Sequence, residues 1–254
     1  MDKTQKTILY VTTIILAILV LIILGKLFMF ERGKEKTSGE IDTSIVNKLY
    51  NYLPEYNDYQ LESIYNKFSS FENLNINIIE AMIVNYLVNN DKEKLKPIDN
   101  NDSLDIGLDT SQYKLLYKIS KEDLEYGLKM VFGNNRNIVF KDVSIDKKTM
   151  GKYLNNILFV YQIIDNIDNN DIVYRSINRY SIDDDKTIKI YDYYVICDKS
   201  TSICYSDDKK NIENSYITYS NGIEFDDYKN NMKQYEHTFK YDNGNYYWLN
   251  SKAM

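Results

Sequence analysis

Few residues of this 254-residue chain are of a type that does chemistry. It has one histidine, His237, and two cysteines, Cys197 and Cys204. A thiol nucleophile needs a base to draw off its proton, and His237 with either cysteine is the one pairing of that kind. The densest carboxylate run is Asp183, Asp184 and Asp185. Each has a plainer reading, His237 as a sheet residue and the aspartates as a solvated turn. Asp91, Asp99, Asp102, Asp105 and Asp109 occupy a polar stretch without the glycine and closing glutamate of a calcium loop, so they read as a solvated acidic loop. A single histidine cannot build an HExxH zinc site, and with two cysteines it falls short of a structural zinc finger. None of the nine glycines falls in a phosphate loop or a dinucleotide fingerprint. The sequence therefore assigns no catalytic residue, no cofactor and no metal ligand.

Two sets remain as candidate sites. Cys197 and Cys204 end the segment C-DKSTSI-C. A four-residue turn at Lys199–Ser202 would set them opposite each other across a hairpin, at disulfide distance. Closing so small a loop is worth about 2.5 kcal/mol in the chain-entropy account. A turn shifted to Asp198–Thr201 would put Ser202 opposite Cys197 and leave two thiols. The spacing is not C-x-x-C, which weakens a redox reading. The second set lies in YEHTFKYDNGNYYWLN, residues 235–250. Asn243-Gly244 is a strong two-residue hairpin signal, because both central positions of the favoured turn need positive φ. That register pairs Tyr241 with Tyr246, Phe239 with Trp248 and His237 with Asn250. One face then carries Phe239, Tyr241, Tyr246 and Trp248, either as sheet core or as an aromatic binding face.

The elements that must position these residues follow from periodicity. From Asp42, the residues Ile45, Val46, Leu49 and Leu53 fall on one helical face, with Asp42 or Thr43 as cap and Pro54 as stop. A second helix is expected over Tyr59–Phe68. A third is centred on Ile78, Ile79, Met82, Ile83, Tyr86 and Leu87, whose wide apolar stripe must face a core. Residues 89–110 read as a long loop. In Ile119–Gly133, Ser120 caps, Asp123 is its capping-box partner, Leu124, Leu128, Val131 and Phe132 make one face, and Gly133 closes. After that the period changes to that of strands, expected at 137–145, 157–164, 172–182 and 187–197. The 153–164 stretch is also compatible with a buried helix.

Ahead of all this lies Thr7–Phe30, TILYVTTIILAILVLIILGKLFMF, whose first nineteen residues carry no charged side chain. At about 1.5 Å per residue they give roughly 28 Å of helix, close to the thickness of a bilayer core. No small-residue cleavage site follows, so the segment reads as an uncleaved signal anchor. The basic count compares Lys3, Lys6 and the amino terminus with Lys26, Arg32, Lys34 and Lys36, and taken alone slightly favours a cytoplasmic domain. The short basic tail and the two nearby cysteines favour an extracytoplasmic one, which is the reading adopted. Residues 37–254 hold 25 Lys and Arg against 34 Asp and Glu, an acidic balance that argues against nucleic acid.

The whole arrangement, with the stretches KISKEDLEYGLKMVFG (118–133) and YEHTFKYDNGNYYWLNS (235–251), resembles a group of uncharacterised single-pass, membrane-anchored exported proteins of low-GC Gram-positive bacteria. The resemblance speaks to fold and implies no activity and no site residue.

The expected architecture is α+β. It comprises a basic tail (1–7), a transmembrane helix (8–30), a linker (31–41), a helical part (42–133) and an antiparallel β meander (134–254). By analogy the sheet would curl around a helix in a cystatin-like or nuclear-transport-factor-like (NTF2-like) manner. The expected function is that of a membrane-anchored, extracytoplasmic binding or interaction domain at the cell membrane. Its partners would be the lipid bilayer, through Thr7–Phe30, and a protein or cell-envelope ligand. The alternatives are a structural subunit of a membrane complex and, third, a hydrolytic enzyme with an unrecognised site.

Overall fold

The computed structural model describes residues 42–54, 64–65, 68–98, 102, 106–109, 111–146, 148–164, 171–198, 203–205 and 233–254. The anchor Thr7–Phe30, the linker 31–41 and residues 59–63 and 66–67 of the expected second helix lie outside the described residues. Among the described residues no helix is long and apolar enough to cross a membrane.

The domain is α+β, and its described residues form three α-helices and two antiparallel sheets. Helix α1, Thr43–Tyr50, starts where Asp42 accepts the backbone N–H of Ser44 at 2.9 Å, and it buries Val46 and Leu49. Strand β1 (Phe68–Ser70) follows, and Phe68 is therefore strand where the sequence predicts helix. Helix α2, Ile76–Asn90, is capped by Asn75. It is buried around most of its circumference, as a helix apolar on all sides must be. A single 3₁₀ turn at Lys92–Lys94 leads toward β2 (Tyr113–Ser120). Helix α3, Lys121–Phe132, begins at Ser120, whose Oγ accepts the Asp123 N–H at 3.1 Å. It ends at Gly133, with φ +88°.

Strands β3 (Val143–Ser144), β4 (Thr149–Leu154) and β5 (Ile157–Ile163) complete one sheet, in the order β2-β5-β4-β3. The second sheet contains β6 (Asp171–Ile182), β7 (Ile188–Asp198), β8 (Ile203–Tyr205), β9 (Lys233–Asp242) and β10 (Asn245–Ala253). Its order is β1-β10-β9-β7-β6, with β8 also paired to β7. One meander is thus replaced by two sheets, and the segment 42–133 contains strands β1 and β2 as well as helices. Strand β2 escapes the sequence because a register shift between Leu115 and Tyr117 breaks its alternation. Of the expected strand 137–145 only Val143–Ser144 joins a ladder, while Phe140 belongs to the core and Ile138 packs against it outside any strand.

Helix α3 packs on α2 and on β10. The approach to α2 is made at Gly127, where an added Cβ would sit 2.8 Å from Ile83 Cγ2. Ile83 is fully buried and β-branched, so it has little room to yield. Gly127→Ala is expected to lower stability by about 1 kcal/mol, since overpacking exceeds the gain in helix propensity. Thermal melts of the two proteins check this.

Candidate functional site

Strands β7, β9 and β10 are neighbours, and each contributes one polar residue to the same inward row. On β7 the alternating residues Ile188, Ile190, Asp192 and Tyr194 are all buried. On β9 the row is Tyr235, His237 and Phe239, each 0% exposed. On β10 the pairing runs Tyr246 to Tyr241 and Trp248 to Phe239, then shifts at Leu249, so that Ser251 pairs with His237 and Asn250 with Thr238. The expected His237–Asn250 pair is thus corrected by a β-bulge. The extra residue moves Ser251 onto the face that Trp248 already occupies.

The result is a closed polar chain. Trp248 Nε1–H donates to Ser251 Oγ at 3.0 Å, and Ser251 Oγ lies 2.6 Å from His237 Nδ1. His237 Nε2 lies 3.0 Å from Asp192 Oδ1. The other carboxylate oxygen accepts the Tyr50 hydroxyl at 2.7 Å and the Tyr65 hydroxyl at 3.0 Å. The indole N–H can only donate, so Ser251 Oγ accepts it, and the imidazole tautomer sets the direction of the Ser251–His237 and His237–Asp192 bonds. Burial pushes the Tyr50 and Tyr65 hydroxyls well above their ordinary range, which keeps both protonated as donors. The Arg175 guanidinium lies 4.5 Å over the Tyr50 ring and donates to the Leu53 carbonyl at 3.1 Å. It brings a positive charge to the helix side of the buried carboxylate.

Serine, histidine and aspartate in hydrogen-bonded series are the residue types of a hydrolase triad. The surroundings are not those of one. Asp192, His237 and Ser251 are each 0% exposed, and the serine oxygen is already engaged by the indole. Tyr65 stacks on Tyr194 with ring centroids 3.8 Å apart and meets His237 edge-on at 5.4 Å, closing the cluster with aromatic faces. The arrangement is a tie between α1, the Ile64–Tyr65 segment and three strands. His237, with both ring nitrogens committed here, is not the base of a cysteine nucleophile.

The other sequence candidates fall elsewhere. Cys197 pairs opposite Cys204 in the β7–β8 ladder, while their side chains lie outside the described residues. Asp183, Asp184 and Asp185 form the exposed β6–β7 turn, where Asp183 pairs with Lys189 at 2.6 Å and Asp185 accepts the Thr187 N–H at 3.0 Å. Asp102 pairs with Lys118. Among the described residues no group of three His, Cys, Asp or Glu could hold a metal ion. Phe239 and Trp248 are core residues. Tyr241 and Tyr246 meet edge-on at 5.1 Å near the hairpin tip, where Asn243 and Gly244 have φ +49° and +90°.

Beside that tip is an open cavity of about 210 Å³. Helix α1 supplies Ile45, Lys48 and Leu49, Tyr52 follows it, α2 gives Tyr86, α3 gives Met130, and Gly244, Asn245 and Tyr246 close the far side. Its lining is mainly apolar and aromatic, as in ligand pockets generally. Tyr52 is 1% exposed, with its ring edge-on to Tyr86 and to Phe239, each at 5.8 Å. Its hydroxyl is buried without a hydrogen-bond partner among the described residues. The sequence reading missed this site because its walls come from four separate parts of the chain, and each wall residue reads locally as ordinary packing.

The chain matches no family model, no curated protein and no solved structure.

Proposed function

We propose that this protein is a membrane-anchored, extracytoplasmic binding domain whose ligand seat is the cavity beside the β9–β10 hairpin. The observation that carries the reading is a contrast between the polar network and the cavity. The residues that resemble reactive chemistry satisfy one another in a sealed network, whereas the open concavity is lined by apolar and aromatic groups that bind rather than react. The anchor at Thr7–Phe30 would hold this seat near the membrane surface, and the finer fold reading, a cystatin-like or NTF2-like sheet curled around a helix, belongs to the same proposal.

Binding is tested with the full chain in lipid nanodiscs, following the Met130 methyl resonance against a panel of single-ring and short-chain compounds. At least one compound is expected to move that resonance, and Ile45→Trp, which fills the cavity, is expected to abolish the shift. A panel that leaves Met130 unmoved, or moves it equally in the filled variant, contradicts the reading. Orientation is tested separately with a membrane-impermeant maleimide on intact cells after mild reduction. Cys197 and Cys204 are expected to label, and labelling only after lysis would place the domain in the cytoplasm.

A further inference from the structure

We infer that residues 136–142, which lead into β3, are the seat of a second copy of this chain, and that two copies pair antiparallel through this segment about a two-fold axis at Val139. This interface stands apart from the cavity and does not depend on it.

The segment reads as a strand without a partner. It contains no turn or bend, and no residue in it has positive φ. Burial alternates along it: Asn137, Val139 and Lys141 are exposed, whereas Ile138 is half-buried and Phe140 is buried. Ile138 and Phe140 pack against the core, which holds the segment in place before any partner arrives. Among the described residues, the backbone of 137–140 nevertheless makes no hydrogen bond.

The neighbouring ladder tells which groups are on offer. Among the described residues β3 is the edge of its sheet. Backbone groups of successive residues point to alternate sides of a strand. The Ile145 N–H reaches the Thr149 carbonyl at 2.9 Å, so odd-numbered residues face β4 and even-numbered ones face away. Where the chain leaves the ladder, the Lys141 N–H goes to Glu80 on α2 at 3.0 Å, and Asp142 Oδ1 accepts the Tyr153 N–H of β4 at 2.8 Å. On this alternation Ile138, Phe140 and Asp142 direct their N–H and C=O groups at the open edge, a template for another strand.

The residues of the segment select a second copy as that strand. With Val139 on the axis, Arg136 faces the partner's Asp142, Ile138 faces the partner's Phe140, and Asn137 faces the partner's Lys141, each twice by symmetry. No like charges meet. Arg136 already pairs with Glu72, and its guanidinium has further donors for the partner's carboxylate. Val139 is 86% exposed, the most of any large apolar side chain among the described residues, and pairing covers it with its own equivalent. Parity agrees, because the outward groups of Ile138 and Phe140 then bond across the interface. Val139 falls at a non-hydrogen-bonded position, where facing Cα atoms are about 4.5 Å apart, within disulfide reach.

The test is oxidative cross-linking of the full chain in detergent micelles, read as dimer on a non-reducing gel, with the natural chain as blank. Val139→Cys is expected to form a dimer rapidly. Leu249→Cys, an exposed apolar position elsewhere that carries the same Thr7–Phe30 segment, measures chance collision. Asn137→Cys and Lys141→Cys chains, tagged differently and mixed, should cross-link to each other in preference to themselves. Adding Val139→Lys to both chains should remove that mixed band by setting like charges on the axis, with the melting temperature unchanged because the side chain is exposed. Val139→Lys in one chain and Val139→Glu in the other should restore it. A Val139→Cys chain that cross-links no faster than Leu249→Cys overturns the interface. Equal mixed and like-with-like cross-linking at Asn137→Cys and Lys141→Cys overturns this register, and a mixed band that survives two lysines overturns the pairing at Val139.

Discussion

Asp192→Ala is expected to cost about 3 to 5 kcal/mol of folding stability, the range for removing one member of a buried charged network. The reason is the number of groups left behind. Tyr50 would lose the acceptor for its buried hydroxyl, Tyr65 would lose one of its partners, and His237 would lose its contact at Nε2. Ser251→Ala should cost less, roughly 1 to 3 kcal/mol, because it orphans only the Trp248 indole and His237 Nδ1. Since all these residues share one network, Asp192→Ala and His237→Ala should combine to less than the sum of their separate effects. Urea melts of the single and double variants measure each term, and strict additivity would mean that the groups do not act together.

Glu80→Gln is expected to become more stabilising, relative to the natural protein, by about 3 kcal/mol on going from pH 4 to pH 8. Glu80 is 1% exposed, on the buried helix α2. Its Oε1 accepts the Lys141 N–H at 3.0 Å, and Oε2 has no hydrogen-bond partner among the described residues. Burial pushes its carboxyl up to about 7 from an ordinary 4.5. The sign follows from linkage. The folded state holds the proton more tightly than the unfolded chain, so the contribution of Glu80 is fully present below about 4.5 and is lost as pH rises through about 7. Glutamine mimics the neutral acid at every pH. Any constant offset from its amide cancels when the two pH values are compared. Equal differences at pH 4 and pH 8 would show that Glu80 titrates as an ordinary surface carboxylate.

The helices were the most legible part of the chain, because their signals are local. Ser120, the apolar face of α3 and Gly133 lie within fourteen residues, and all three act as their types suggest. The Asn243-Gly244 turn is equally local. The division into two sheets was not legible, since it depends on which strands meet across long separations. The polar network was half visible. Asp192 within Ile188, Ile190 and Tyr194, and His237 between Tyr235 and Phe239, are polar residues in otherwise apolar inward rows. That is a readable sign of a buried polar site. What hid the connection was the bulge at Leu249, because unbroken alternation from Asn243-Gly244 delivers Asn250 to His237 and turns Ser251 outward. The cavity left no local trace, since Lys48, Tyr52, Tyr86, Met130 and Tyr246 become neighbours only in the folded domain.

The claim on which the rest depends is that the Ser251–His237–Asp192 series is sealed, so that function lies in the cavity instead. Trp248 is the only tryptophan of the chain, and its indole N–H, bonded to Ser251, gives a single resonance that reports on this network. Its exchange with deuterium in the native full-length protein is the most direct measurement. The account predicts that the signal is protected and exchanges only through global unfolding, slowing and quickening with overall stability. Exchange under native conditions at the rate of an exposed indole would mean that the network opens to water, and would return Ser251 and His237 to the list of reactive groups.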